Sequence, residues 1–135
     1  MVDTRKVVVD GSNVAHEETS DDGAPRVANI VRMRQELVRL GYSPTIIIDA
    51  SLRHDIDDPE QLEGLIDNGI VHQAPADAEA DYFILETARR EGSLIVSNDT
   101  FSQYSEEHPW IEERRVPFMI IHGDVQIHTP DLDRD

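Results

Sequence analysis

Val7-Val8-Val9-Asp10-Gly11-Ser12-Asn13-Val14-Ala15-His16 is the stretch that decides how this chain folds. Three β-branched residues ended abruptly by Asp, Gly, Ser and Asn are the pattern of a fully buried strand that delivers polar side chains at its C-terminal end. Asp-Gly is also a tight-turn signal, but no alternating segment follows that could pair back. The strand covers about Lys6 to Val9, and Asp10 stands at its carboxyl end.

Outward from there the pattern repeats. Pro25 opens a helix that runs to about Leu40, with Val27, Ile30, Val31, Met33, Leu37 and Val38 at helical spacing and Gly41 as its stop. Thr45-Ile46-Ile47-Ile48 is a second buried strand, stopping at Asp49. Pro59 to Asp67 reads as a short helix, Ile70-Val71-His72 as a third strand, and Pro75 to Glu91 as a helix closed by Gly92. Leu94-Ile95-Val96 is a fourth strand, stopping at Ser97-Asn98-Asp99, and a helix or turn covers about Thr100 to Glu107. Trp110 reads as a packing anchor. Pro117 to Ile121 and Val125 to His128 form a closing hairpin across a Gly-first turn, Gly123-Asp124. Short continuous strands alternating with helices predict an α/β fold of three layers, α/β/α, around a central, mostly parallel sheet. Residues 1–130 read as one domain and 131–135 as a frayed acidic tail.

At 135 residues and 15.3 kDa the chain is large enough for one real core. Mean hydropathy is −0.46 and no apolar run is long enough to span a bilayer, so no membrane partner is expected. The residues before the first strand leave no room for a signal peptide. With no cysteine there is no disulfide framework, thiolate metal site or cysteine nucleophile. These features predict a soluble, cytoplasmic protein. Asp and Glu number 28 against 12 Lys and Arg, a net charge of −16, and Lys6 is the only lysine. Acids spread through every segment suit a cytoplasm of molar salt, where screening shortens to about 3 Å and self-repulsion costs little. A halophilic source is the expectation. The same charge argues against a nucleic-acid partner at low salt, an argument that weakens where phosphate attraction is screened.

In a parallel sheet the functional crevice lies beyond the carboxyl ends of the strands, and the acids fall there. Asp10 and Asp99 follow strands one and four. Asp77 and Asp81, in the first turns of the predicted helix from Pro75, share one helical face, with Glu79 pointing elsewhere. Packed carboxylates repel unless a cation or proton sits between them. Hard oxygen donors without cysteine or clustered histidine suit Mg²⁺ or Mn²⁺ rather than zinc. Such ions activate water and neutralise a phosphodiester transition state. Metal-dependent phosphodiester hydrolysis is the resulting expectation, with His16 lining the crevice and Asp49 at its edge.

Asp10-Gly11-Ser12-Asn13-Val14-Ala15 together with Ser97-Asn98-Asp99-Thr100-Phe101 resembles the NYN-type PIN-like ribonucleases, specifically the Regnase-like group. The resemblance extends from about Lys6 to Pro130 and includes Arg26, the Arg114-Arg115 stretch and the hairpin. It implies a PIN-like fold and endonucleolytic cleavage of single-stranded or loop RNA with Mg²⁺ or Mn²⁺, leaving a 3′ hydroxyl and a 5′ phosphate. It implies Asp10 as a metal ligand or holder of a metal-bound water, Asn13 as its hydrogen-bonding support, and Asp81 and Asp99 as further acids of the site. Ser12, His16, Asn98 and Thr100 are the expected substrate contacts, and Arg26 and Arg53 would steer phosphate. RNA is the expected partner, and a homodimer is compatible with this reading. One departure stands out: the group's pattern has two adjacent aspartates, and the first position here is Ala80, with Asp77 available as a replacement one turn earlier.

Two rivals follow from the same residues. Ala80 and the charge of −16 motivate a non-catalytic RNA-binding or scaffold module of the same fold. A phosphotransferase with a nucleophilic Asp after strand one is disfavoured, because that chemistry wants a second Asp where Ser12 stands and a lysine in the site, whereas Lys6 precedes the strand.

Overall fold

The structure is a computed structural model that describes residues 5–128. The tail expected over 131–135 lies outside them. The elements are β1 (Lys6–Asp10), α1 (Gly11–Glu17), α2 (Val27–Arg39), β2 (Ser43–Ile48), α3 (Leu52–Asp55), α4 (Pro59–Asp67), β3 (Val71–Gln73), α5 (Ala80–Glu91), β4 (Leu94–Val96), a 3-10 turn (Ser102–Tyr104), α6 (Ile111–Arg114), β5 (Arg115–Val116), β6 (Phe118–Ile121) and β7 (Asp124–Ile127). The first five strands form a parallel sheet in the order β3-β2-β1-β4-β5, and β6 and β7 pair separately as an antiparallel hairpin. This is the predicted α/β/α architecture.

β1 is the middle strand, buried on both faces, which is why its sequence reads as an uninterrupted apolar run. Val7 and Val9 face the larger core with α1, α2 and the hairpin; Val8 faces the smaller core with Ile84, Leu85 and Ala88 of α5. Alternation sends Asp10 to the Val8 side, the side of α5. The chain order reverses between β1 and β4, so the switch-point crevice where α/β sheets place their sites opens between Asp10 and Ser97.

Several boundaries differ from expectation, and α1, α3, α6 and β5 have no predicted counterpart. The predicted helix from Pro75 begins only at Ala80, because Ala76 to Glu79 are exposed and offer no apolar stripe to pack. The predicted helix from Pro25 begins at Val27, whose N–H is capped by Asp57, 30 residues away (2.9 Å), and its Val38 is half exposed. The hairpin turn is His122-Gly123 rather than Gly123-Asp124: Ile121 pairs with Asp124, and both turn residues have positive φ (50° and 82°), the mirror-type geometry that matches strand twist. Glu18 holds this turn by accepting from the N–H groups of His122 (2.8 Å) and Gly123 (3.0 Å).

Candidate active site

Asp10 ends β1 and caps α1. One carboxylate oxygen accepts from the Asn13 N–H (3.4 Å) and the other from the Ser97 hydroxyl (2.9 Å). α1 can start this abruptly only because residue 11 is glycine. A Cβ there would lie 2.7 Å from Ile48 Cγ2 and 3.1 Å from the Ile47 carbonyl oxygen. The Ser12 hydroxyl accepts from the Asp49 N–H (3.0 Å), tying α1 to the end of β2. Asn13 Oδ1 accepts from the Asn98 N–H (3.0 Å), tying it to the loop after β4.

That loop is itself clamped. Ser97 Oγ accepts from the Asp99 N–H (3.0 Å) while donating to Asp10, and Asp99 accepts from the Phe101 N–H (2.8 Å). Phe101 takes a left-handed φ of 53°, a strained value for an aromatic residue, held by its fully buried ring. The Asn98 side chain imitates a strand partner for Phe118, accepting from its N–H (3.0 Å) and donating to its carbonyl (2.9 Å). Asn29, fully buried, donates to the carbonyls of Val14, Ala15 and Glu18 and so closes the end of α1.

The electrostatics show which carboxylates act on one another. Burial pushes Asp10 from 3.8 up to about 6, against the opposing pull of the Ser97 and Asn13 hydrogen bonds and with further upward pushes from Asp81 and Asp99. Asp81, in the first turn of α5, is raised by burial and then by Asp99, Glu79 and Asp49. Glu79 also accepts from the Tyr104 hydroxyl, which holds Tyr104 up at about 12. The acidic group at the crevice is therefore Asp10, Asp81 and Asp99, flanked by Asp49 and Glu79.

Asp77 is not in it. It lies exposed in the loop before α5, does not share a helical face with Asp81, and is not among the carboxylates that push Asp81 up. The turn of helix that would have aligned the pair does not exist. Glu79, expected to point away, acts on Asp81 instead. Its first-turn spacing from Asp81 resembles that of a solvated residue, so nothing in the sequence separated it from its neighbours.

The other expected contacts divide. Asn98 and Thr100 flank Asp99, and Ser12 and Asn13 brace the crevice floor. His16 Nδ1 lies 2.7 Å from the Ser12 carbonyl, one turn back along α1. Arg26 pairs with Glu18 (3.5 Å), and Arg53 pairs with Glu63 and donates to Gln73 (3.3 Å), so both arginines already have local partners. Trp110 packs against the smaller core beneath the Arg114 guanidinium, 3.9 Å from its ring centre.

The donor set tests whether a metal fits. Among the described residues no three His, Asp or Glu side chains close into a ready metal cage. Asp10, Asp81 and Asp99 are the hard oxygen donors at the crevice that could hold a divalent ion.

Residues 3–134 match the family model for the Zc3h12a-like ribonuclease NYN domain. The chain belongs to that family. Two solved structures of the nuclear protein-only RNase P 2 from Arabidopsis thaliana superpose with a TM-score of 0.72, at 21% and 20% identity, over 95% of this chain. At that identity the likeness is one of fold, and this chain spans 30% of the length of those chains. Among curated proteins none matches. No helix of the described residues is long and apolar enough to cross a membrane.

Proposed function

We propose that this domain is a metal-dependent endoribonuclease that hydrolyses phosphodiester bonds of single-stranded or loop RNA, with Asp10, Asp81 and Asp99 holding Mg²⁺ or Mn²⁺. The observation that carries the reading is that carboxylates from three separate elements act on one another at the switch point, with Asp81 and Asp99 both pushing up a buried Asp10 that Ser97 and Asn13 hold in place. A bound divalent ion supplies charge neutralisation at the phosphodiester and an activated water. Asp10 contributes an oriented oxygen: each of its two oxygens accepts one hydrogen bond and keeps acceptor capacity toward the crevice. Ser97 and Asn13 hold that orientation and tie it to the loop carrying Asp99. Asp99 and Thr100 are exposed, so a flexible chain can cross the crevice without entering a tunnel.

Cleavage of an RNA with single-stranded loops tests this, in about 2–3 M KCl to keep so acidic a chain compact, with and without Mn²⁺ or Mg²⁺. Metal-dependent cutting abolished by chelator is expected; cutting indifferent to chelator refutes the metal. Ala80 favours a second reading, an RNA-binding module without catalysis. RNA binding unaffected by chelator, with no cutting under any metal or salt, would establish that one.

A further inference from the structure

Basic residues are outnumbered in this chain, 12 against 28 acids, and five of the described arginines are matched to a carboxylate: Arg26 to Glu18, Arg39 to Glu36, Arg53 to Glu63, and Arg89 and Arg90 to Glu86. Arg115 is an exception beside the crevice. It sits in β5, partly buried, and among the described residues its side chain makes one hydrogen bond, a donation to the carbonyl of Ser97 (3.1 Å), the residue whose hydroxyl holds Asp10. Arg115 lines a half-open recess of about 210 Å³, together with Thr100, Ser102, Ser105, His108 and Glu112 and an apolar wall of Pro109 and Ile111.

The donors of that recess are largely unspent. Nothing in the described structure engages the exposed hydroxyls of Thr100 and Ser102, whereas His108 Nδ1 is buried against solvent and its ring packs on Trp110. Ser105 is committed to the Ser102 carbonyl (2.9 Å). Glu112 is the one acid in the lining; it is exposed and forms no ion pair with Arg115. A guanidinium with only one of its five donors spent, beside two unengaged hydroxyls, is a set of donors that suits an anion with several acceptor oxygens. The recess is smaller than the roughly 300–1,000 Å³ clefts that take drug-sized ligands. It fits a phosphate group rather than a whole nucleotide.

We propose that Arg115, Thr100 and Ser102 form a phosphate subsite that grips the RNA backbone at a nucleotide adjoining the one cut. The proposal rests on the nuclease reading for its substrate, and it makes Arg115 a positioning residue, one hydrogen bond from Ser97 and two from Asp10. It answers how a chain of charge −16 holds a polyanion: with a local, geometrically matched contact instead of a basic surface.

The test is fluorescence anisotropy of a short 5′-labelled oligouridylate with the Asp10→Asn protein in chelator, with and without Arg115→Met. Because nothing is cut in this experiment, a wild type that fails to cleave would sink the nuclease reading alone. Arg115→Met is expected to weaken Kd about tenfold, the scale of one hydrogen bond to a charged group. It should also flatten the slope of log K against log salt by about 0.7, one phosphate contact to a single strand. Thr100→Val with Ser102→Ala, which removes two unengaged hydroxyls, is expected to weaken Kd about threefold and leave the slope unchanged. A merely structural Arg115 would not move the slope. Unchanged affinity and slope in Arg115→Met, or no measurable binding by the parent protein, overturns the subsite.

Discussion

Replacing Asp10 by asparagine should make the protein more stable while destroying its proposed activity. The folded-state carboxyl is raised from 3.8 to about 6, chiefly by burial, and the side chain is only 6% exposed, so little solvent screening discounts the effect. A raised carboxyl binds its proton more tightly in the folded chain than in the unfolded one. The stability this provides is fully present below about pH 4 and is lost as pH rises through about 6. At pH 8 the ionised group therefore costs about 3 kcal/mol relative to its protonated form. Asparagine keeps the shape and an oxygen that accepts from Asn13 or Ser97, and it loses the charge. Allowing for one weakened hydrogen bond, Asp10→Asn should gain about 2 kcal/mol at pH 8, roughly 5–10 °C in melting temperature for a domain of this size. The gain should disappear as pH falls and reverse by up to about 1 kcal/mol near pH 4, where only the weakened hydrogen bond remains. Parallel thermal and guanidinium melts of both proteins from pH 4 to pH 8 read this directly. Only the difference between the variants matters, so the titration of the many surface acids cancels. A variant less stable than wild type at pH 8, or a gap that does not change with pH, would refute the buried-charge account of Asp10.

Gly11→Ala should destabilise by about 1–3 kcal/mol in denaturant melts, because the new methyl group meets Ile48 at 2.7 Å and the Ile47 carbonyl at 3.1 Å; a neutral effect would mean α1 can slide without loss. Asn98→Ala removes both bonds to Phe118 and should cost about 1–3 kcal/mol, with loss of amide-exchange protection at Phe118 and little change within the parallel sheet. Glu79→Gln should lower the ionisation of Tyr104 from about 12 back toward 10 in an absorbance titration, since the Glu79 hydrogen bond is the largest cause of its rise, followed by burial and then the Glu79 charge; an unmoved midpoint would place the cause elsewhere.

The parts of this fold that the sequence revealed are those in which burial dictates composition. Val7 to Val9, Ile46 to Ile48 and Leu94 to Val96 are covered on both faces and so could hardly be anything but β-branched and aliphatic runs. Because parallel strands place their carboxyl ends on one edge, Asp10 and Asp99 were legible as neighbours from strand order alone. Asp77 misled because Pro75 suggests a helix start, whereas the segment after it has no apolar face to hold a helix against the sheet. α1 escaped notice because its polar opening residues, Ser12 and Asn13, are used for tertiary bonds to Asp49 and Asn98, partners 37 and 85 residues away. The capping of α2 by Asp57 and of α1 by Asn29 is equally non-local. Arg53 and Arg26 have their charges matched by Glu63 and Glu18, pairings that spacing does not reveal. Membership of the NYN ribonuclease family accords with the motif that pairs Asp10 to Ala15 with Ser97 to Phe101.

The central claim is that Asp10, Asp81 and Asp99, and not Asp77, hold the ion that drives RNA hydrolysis. Its most direct test is the rate of Mn²⁺-dependent RNA cleavage in four single variants, each checked for folding by circular dichroism. Asp10→Asn, Asp81→Asn and Asp99→Asn should each lose about a hundredfold or more, while Asp77→Asn should stay within about twofold of wild type, its side chain being exposed outside the group. Full activity in Asp10→Asn, or a loss in Asp77→Asn equal to that in Asp81→Asn, would contradict the account.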